Sequence, residues 1–171
     1  MTTHASNEVS LGKELRTQLK ALLDGGQAHA TFEDAVKDFP AKLRGVIPEG
    51  LPYSCWQILE HIRLAQRDIL DFSDNADGSY KPQKWPDSYW PETPEPPSAE
   101  AWDKSIQQTR DDRKAFEKLL TDADDAALVA PFEWGNGKQS LLREAFLIAD
   151  HDAYHTGELI VLRRLLGAWK K

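Results

Sequence analysis

The sequence predicts an all-α fold, most simply a four-helix bundle. Four long segments space their apolar residues at intervals of three and four, no segment alternates with the period of two that a half-buried strand requires, and start and stop residues bound each segment. A chain of 171 residues, 40% apolar and 29% charged, suits one helical domain over 1–171 that buries a sizeable core.

The first helix is expected from about Glu8 to Asp24, with Leu11, Leu15, Leu19 and Leu22 on one stripe and Gly25-Gly26 as the stop. A short piece, TFEDAVKDF, follows, with Thr31 as N-cap and Pro40 ending it. The second long helix begins at Ser54, where Ser54 and Gln57 form a capping-box pattern after Pro52, and continues to about Asp74. Its apolar face carries Ile58, Ile62, Ala65, Ile69 and Phe72. The third begins near Ser98 behind Pro96-Pro97, turns Trp102, Ile106, Phe116 and Leu120 inward, and ends near Thr121. The fourth starts at Ser140 after the turn sequence WGNGKQ and runs to Leu166, with Gly167 placed as a C-cap.

Between helices two and three lies NADGSYKPQKWPDSYWPETPEPP, whose prolines deny it regular structure. A helix of about 20 residues is roughly 30 Å long, and a loop of this length can cross back along it, so that helices two and three run parallel. The loop reads either as a proline-stiffened crossover covering the bundle or as a pocket wall made of Trp85, Tyr89 and Trp90, and the two readings are compatible.

The formal charge of −7 and pI near 5.2 argue against phosphate backbones and anionic lipid as partners, because such binding needs clustered Lys and Arg. Only Arg163, Arg164, Lys170 and Lys171 bunch. The start MTTHASNEVS lacks a basic region followed by an apolar run, and no apolar stretch approaches the roughly 18 residues of a membrane span, so a cytoplasmic location is expected. The single cysteine, Cys55, cannot form an internal disulfide and reads as a small buried hydrophobe.

The five histidines separate by position. His4 lies near the terminus and His29 in the turn after GGQ, and neither is expected to be a ligand. At about 100° per residue, His61 falls between Ile58 and Ala65 and points into the bundle. The same projection on the fourth helix aligns Ile148, His151, His155, Leu159, Leu162 and Leu166. A buried imidazole costs free energy unless its nitrogens are bonded. One divalent cation would satisfy all three, and an i,i+4 pair with a third imidazole from another helix suits chelation. The alternative pairs each histidine with a tyrosine, a carboxylate or a backbone carbonyl, for which Asp150, Tyr154 and Glu158 are near in sequence.

SCWQILEHIRLAQRDIL, the loop KWPDSYWP and LLREAFLIADHDAYHTGELIVLRRLLG resemble the DinB/YfiT-like superfamily of metalloenzymes, in a likeness that covers nearly the whole chain. The resemblance implies an up-down-down-up four-helix bundle, a homodimer, and a divalent metal, nickel or zinc, held by His61, His151 and His155. One departure is visible: many relatives read H-x-G-Q where this chain has His155-Thr156-Gly157-Glu158.

Three neutral ligands leave a divalent cation with an open position and its full charge, able to generate a nucleophile from water or a thiol at neutral pH. The resemblance favours a small-molecule enzyme of S-transferase type that uses a low-molecular-weight thiol, ahead of a hydrolase. A non-catalytic dimeric helical module with a structural metal is the rival. Asp150 or Glu60 is expected to accept a hydrogen bond from a ligand imidazole, although helix projection makes Glu60 more readily a solvated carboxylate. Tyr154 and Glu158 are candidates for proton transfer.

Overall fold

The computed structural model describes residues 10–169. Glu8, His4, Lys170 and Lys171 lie outside the described residues, and so do the expectations placed on them. Among the described residues the fold is all-helical: α1 (Leu11–Asp24), α2 (Phe32–Val36), α3 (Cys55–Ser73), α4 (Ala99–Asp122), α5 (Asp125–Val129) and α6 (Leu141–Leu165), with two short 3-10 turns and one isolated bridge between Pro131 and Ser140. No helix of the described residues is long and apolar enough to cross a membrane.

Each long helix starts on a side-chain oxygen that accepts an otherwise orphaned backbone N–H. The caps are Ser10, Ser54, Ser98 and Ser140, accepting from Lys13, Gln57, Ala101 and Arg143. At Ser54 the capping box is complete, because the Gln57 side chain returns the bond to the Ser54 N–H. Gly25 (φ 74°) and Gly167 (φ 67°) follow α1 and α6 in the left-handed region, which suits glycine as a helix stop.

Side-chain pairings fix the directions. Glu60 meets Ser105, Gln66 meets the Thr109 carbonyl, and Arg67 meets Asp112, so residue numbers rise together and α3 and α4 run parallel. His61 faces His151 and His155, while Ile58 lies beside Leu162, so α6 runs against α3. Arg16 reaches the Leu120 carbonyl and Lys20 reaches Glu117, so α1 opposes α4. The connectivity is therefore up-down-down-up, and the crossover of residues 75–97 makes the parallel step.

Two apolar clusters stack along the bundle. One gathers Phe39, Ile58, Ile62, Trp102, Ile106 and Leu159; the other gathers Leu19, Leu70, Phe116, Leu120, Leu141 and Ile148. Burial of side chains of this size contributes on the order of 1.5–3 kcal/mol each. Between the two clusters lies a polar layer of buried Gln66, Thr109, Asp112, Asp152, His155 and Thr156, and it is at this level that the histidines meet.

The stripe expected on α1 is out of phase. Leu11 and Leu22 are 76% and 47% exposed, whereas Gly12, Leu19 and Leu23 are buried. Arg16 sets the phase: its guanidinium donates to the Leu120 and Ala123 carbonyls at 3.0 and 2.6 Å and to Asp125 at 2.6 Å, capping the C-terminus of α4. The Asp125 carboxylate then lies against Gly12, where a Cβ would meet it at 2.0 Å.

Candidate metal centre

α3 presents His61 and α6 presents His151 and His155, four residues apart and so on one face. Ring centroids are 4.9 Å apart for His61 and His151, 4.5 Å for His61 and His155, and 4.4 Å for His151 and His155. One nitrogen from each ring lies within 4.8 Å of the other two, and the Nε2 atoms of His61 and His151 are 3.1 Å apart.

Two of the rings have their outer nitrogens committed. His61 Nδ1 donates to the Tyr89 carbonyl at 2.9 Å, and His155 Nδ1 donates to Glu158 Oε2 at 2.6 Å. A carbonyl or a carboxylate oxygen can only accept, so each Nδ1 carries the proton and each Nε2 keeps its lone pair. Burial holds both imidazoles neutral, pushing His61 and His155 down to about 4, with the neighbouring histidines adding to the effect.

The third ring, His151, has an unmatched nitrogen whichever one carries its proton. With its proton on Nδ1, two Nε2 lone pairs face each other at 3.1 Å; with the proton on Nε2, a bare Nδ1 faces the Asp152 carboxylate at 3.7 Å. A positive charge at Nε2 resolves the conflict, and a divalent cation resolves it while also engaging His155. Tetrahedral coordination at about 2.05 Å sets ligand nitrogens roughly 3.3 Å apart, close to the His61–His151 spacing. The three residues can therefore bind a divalent metal ion.

The DinB superfamily model matches residues 26–159, a span that includes all three histidines. The chain belongs to the DinB superfamily. No curated protein and no solved structure matches it.

Around the three histidines of this DinB superfamily chain, the other expected site residues part company. Trp90 stacks on His61 with centroids 3.9 Å apart and planes 5° from parallel, and Tyr53 stacks on the far face of Trp90 at 3.9 Å. Tyr89 supplies its carbonyl to His61, while its hydroxyl donates to Asp68 at 2.7 Å beside a groove along the second half of α3. Trp85 is 69% exposed and packs on Tyr89. The three aromatics thus do not form one pocket wall at the histidines: Trp90 lies on His61, whereas Trp85 packs on Tyr89, whose hydroxyl is bonded to Asp68.

Tyr154 is exposed on the outer side of α6, with its ring edge-on to His155 at 4.8 Å. Glu158 is bonded to His155; burial raises its carboxyl, opposed first by the Tyr154 hydroxyl and then by the neighbouring His61 and His151 rings. Asp150 is exposed and accepts no hydrogen bond from either imidazole, since its place on the helix turns it to solvent. Glu60 corrects a second expectation. It is not solvated: it is bonded to Arg63 at 2.8 and 2.9 Å and to Ser105, in the seam between α3 and α4, away from His61. His29 is exposed.

Tyr53, the Tyr89 carbonyl and Asp152 are missing from the site residues read from the sequence. The one available signal was the position of Tyr53 next to the Ser54 cap, which fixes it at the mouth of α3.

Proposed function

We propose that this chain is a metal-dependent enzyme in which His61, His151 and His155 hold nickel or zinc, and that it transfers a group to or from a low-molecular-weight thiol, in the manner of an S-transferase. The reading is carried by the donor set. Three imidazoles converge, and among the described residues no carboxylate or thiolate joins them as a fourth donor. Bound there, the ion would act as a Lewis acid and favour the thiolate over the thiol at neutral pH.

The chain's own residues supply orientation and a place for substrate. Tyr89 and Glu158 fix the rings of His61 and His155, and Trp90 shields one face of His61 from water. Beside Glu158 and Tyr154 opens a groove of 380 Å³, walled by Leu51, Tyr53, Ile58 and Val161. Its apolar lining suits the hydrocarbon or aromatic part of a small substrate, with the Tyr154 hydroxyl and the Glu158 carboxylate at its polar edge. In this reading Glu158 takes or returns a proton there, and the active species is a homodimer of 19.3 kDa chains.

The hydrolase reading uses the same open position for water. The rival structural reading draws on one observation: His61 is only 2% exposed, under the Trp90–Tyr53 stack. The test is elemental analysis of purified wild type beside His61→Ala and His155→Ala, with consumption of a bacillithiol-type thiol on a model electrophile and hydrolysis of a model ester followed in parallel. Metal in the wild type, its loss from both variants, and metal-dependent thiol consumption support the proposal. Ester hydrolysis alone selects the hydrolase, and metal that raises the melting temperature without either activity selects the structural role. Metal retained in both variants overturns the ligand assignment.

A further inference from the structure

Two of the three imidazoles have an acceptor at Nδ1, and the third has a candidate one. Asp152 follows His151 in sequence, and the turn of about 100° to the next helical position directs its side chain toward α4 instead of toward α3. Its Oδ1 lies 3.7 Å from His151 Nδ1, and its Oδ2 lies 3.5 Å from Arg113 Nη2. Asp152 is 8% exposed. Both of its carboxylate oxygens, His151 Nδ1 and Arg113 Nε are buried without hydrogen-bond partners.

Four orphaned polar atoms in one cluster are costly, because each has given up its hydrogen bonds to water without gaining a partner. An ion pair built only for stability would close at hydrogen-bond distance, with the guanidinium fork on both oxygens, as Arg63 does on Glu60. Asp152 and Arg113 instead stand apart, with one oxygen turned to each neighbour. A shift of about 1 Å brings His151 Nδ1 into hydrogen-bond range of Oδ1. Such a shift is favoured once Nε2 is a ligand, because the remaining ring proton must then reside on Nδ1.

We propose that Asp152 is the positioning residue of His151: its carboxylate accepts the Nδ1–H of the metal-bound imidazole, while Arg113 of α4 holds the carboxylate in place. The inference rests on the metal reading above. It gives each ligand its own acceptor from a different part of the fold: the Tyr89 carbonyl from the crossover, Glu158 one turn along α6, and Asp152 braced by α4. The carboxylate fixes the ring orientation and makes Nε2 a stronger donor. It also makes α4, which contributes no ligand, a determinant of metal affinity.

The test compares zinc affinity, by competition with a chromophoric chelator, and the visible spectrum of the cobalt(II) form, in wild type, Asp152→Asn and Arg113→Met. The expected result is a loss of zinc affinity of about 10- to 100-fold in Asp152→Asn, with shifted cobalt bands and an unchanged circular dichroism spectrum. Arg113→Met is expected to show a smaller loss of affinity together with lower stability. If Asp152 served only as the partner of Arg113, both variants would lose stability alike and bind zinc as the wild type does, and that result overturns the inference.

A wild type that binds neither ion overturns the metal reading and this inference with it. Nitrogen-15 spectra of the zinc-loaded wild type decide the matter even if Asp152→Asn does not fold. A slowly exchanging His151 Nδ1–H supports the inference, and a metal-bound or freely exchanging Nδ1 overturns it.

Discussion

Acid sensitivity of the metal-free chain follows from two buried rings. His61 and His155 are held neutral in the fold, their values pushed from 6.5 down to about 4 chiefly by burial. In the unfolded chain both titrate near 6.5. Between these limits the unfolded state binds protons that the folded state refuses, so stability rises with pH across the window and is lost as pH falls from about 6.5 to about 4. The difference corresponds to roughly 3 kcal/mol for each imidazole. The two together are comparable with the whole stability of an ordinary domain, about 5–15 kcal/mol. Urea unfolding in the presence of a chelator, at pH 7.5, 6.0, 5.0 and 4.5, measures the effect against His61→Gln/His155→Gln. The midpoint of the wild type should fall steeply through this range and that of the double variant should fall far less. Equal slopes in the two proteins would refute the reasoning, because carboxylates common to both would then carry the acid dependence.

Three further outcomes are expected. Glu158→Gln removes the anionic acceptor at His155 Nδ1 and should weaken zinc binding by about tenfold or more in chelator competition, without changing the helical content. Arg163→Met should destabilise the fold by about 3–5 kcal/mol in urea unfolding, because the buried guanidinium donates to the Asp34, Ala35, Lys37 and Ala168 carbonyls and its removal strands them; a loss below about 1 kcal/mol would contradict that account. Leu19→Ala should cost about 2–5 kcal/mol while Leu11→Ser stays within about 0.5 kcal/mol, and a comparable cost at both positions would restore the stripe read from sequence.

The bundle was legible wherever local rules act alone. Ser54 and Gln57 announce a helix start by their spacing, and the structure forms both bonds. The i,i+4 spacing of His151 and His155 and the inward projection of His61 are likewise local, and the structure brings the three rings together. α1 was misread because its leucines permit two neighbouring phases and the choice is made by Arg16, whose partners are more than 100 residues away. The partners of the ligand rings were hidden for a different reason. Tyr89 acts through its carbonyl, which any residue would supply, and Asp150 and Asp152 flank the same histidine, separated only by which of them the neighbouring helix buries. In the crossover, Trp85, Tyr89 and Trp90 carry no periodicity from which a shared direction could be read.

The Tyr89 carbonyl has a consequence for how occupancy of the site can be sensed from outside. His61 is tied through one backbone acceptor and one stacked indole to a segment whose preceding lysines, Lys81 and Lys84, stand exposed. Locking the ring in place restrains the segment, and releasing the ring frees it. Lys81 precedes Pro82 and so resists trypsin, but cleavage after Lys84 should slow when zinc is added and quicken when it is stripped, so that a protease reads the occupancy of the site beneath the loop it cuts.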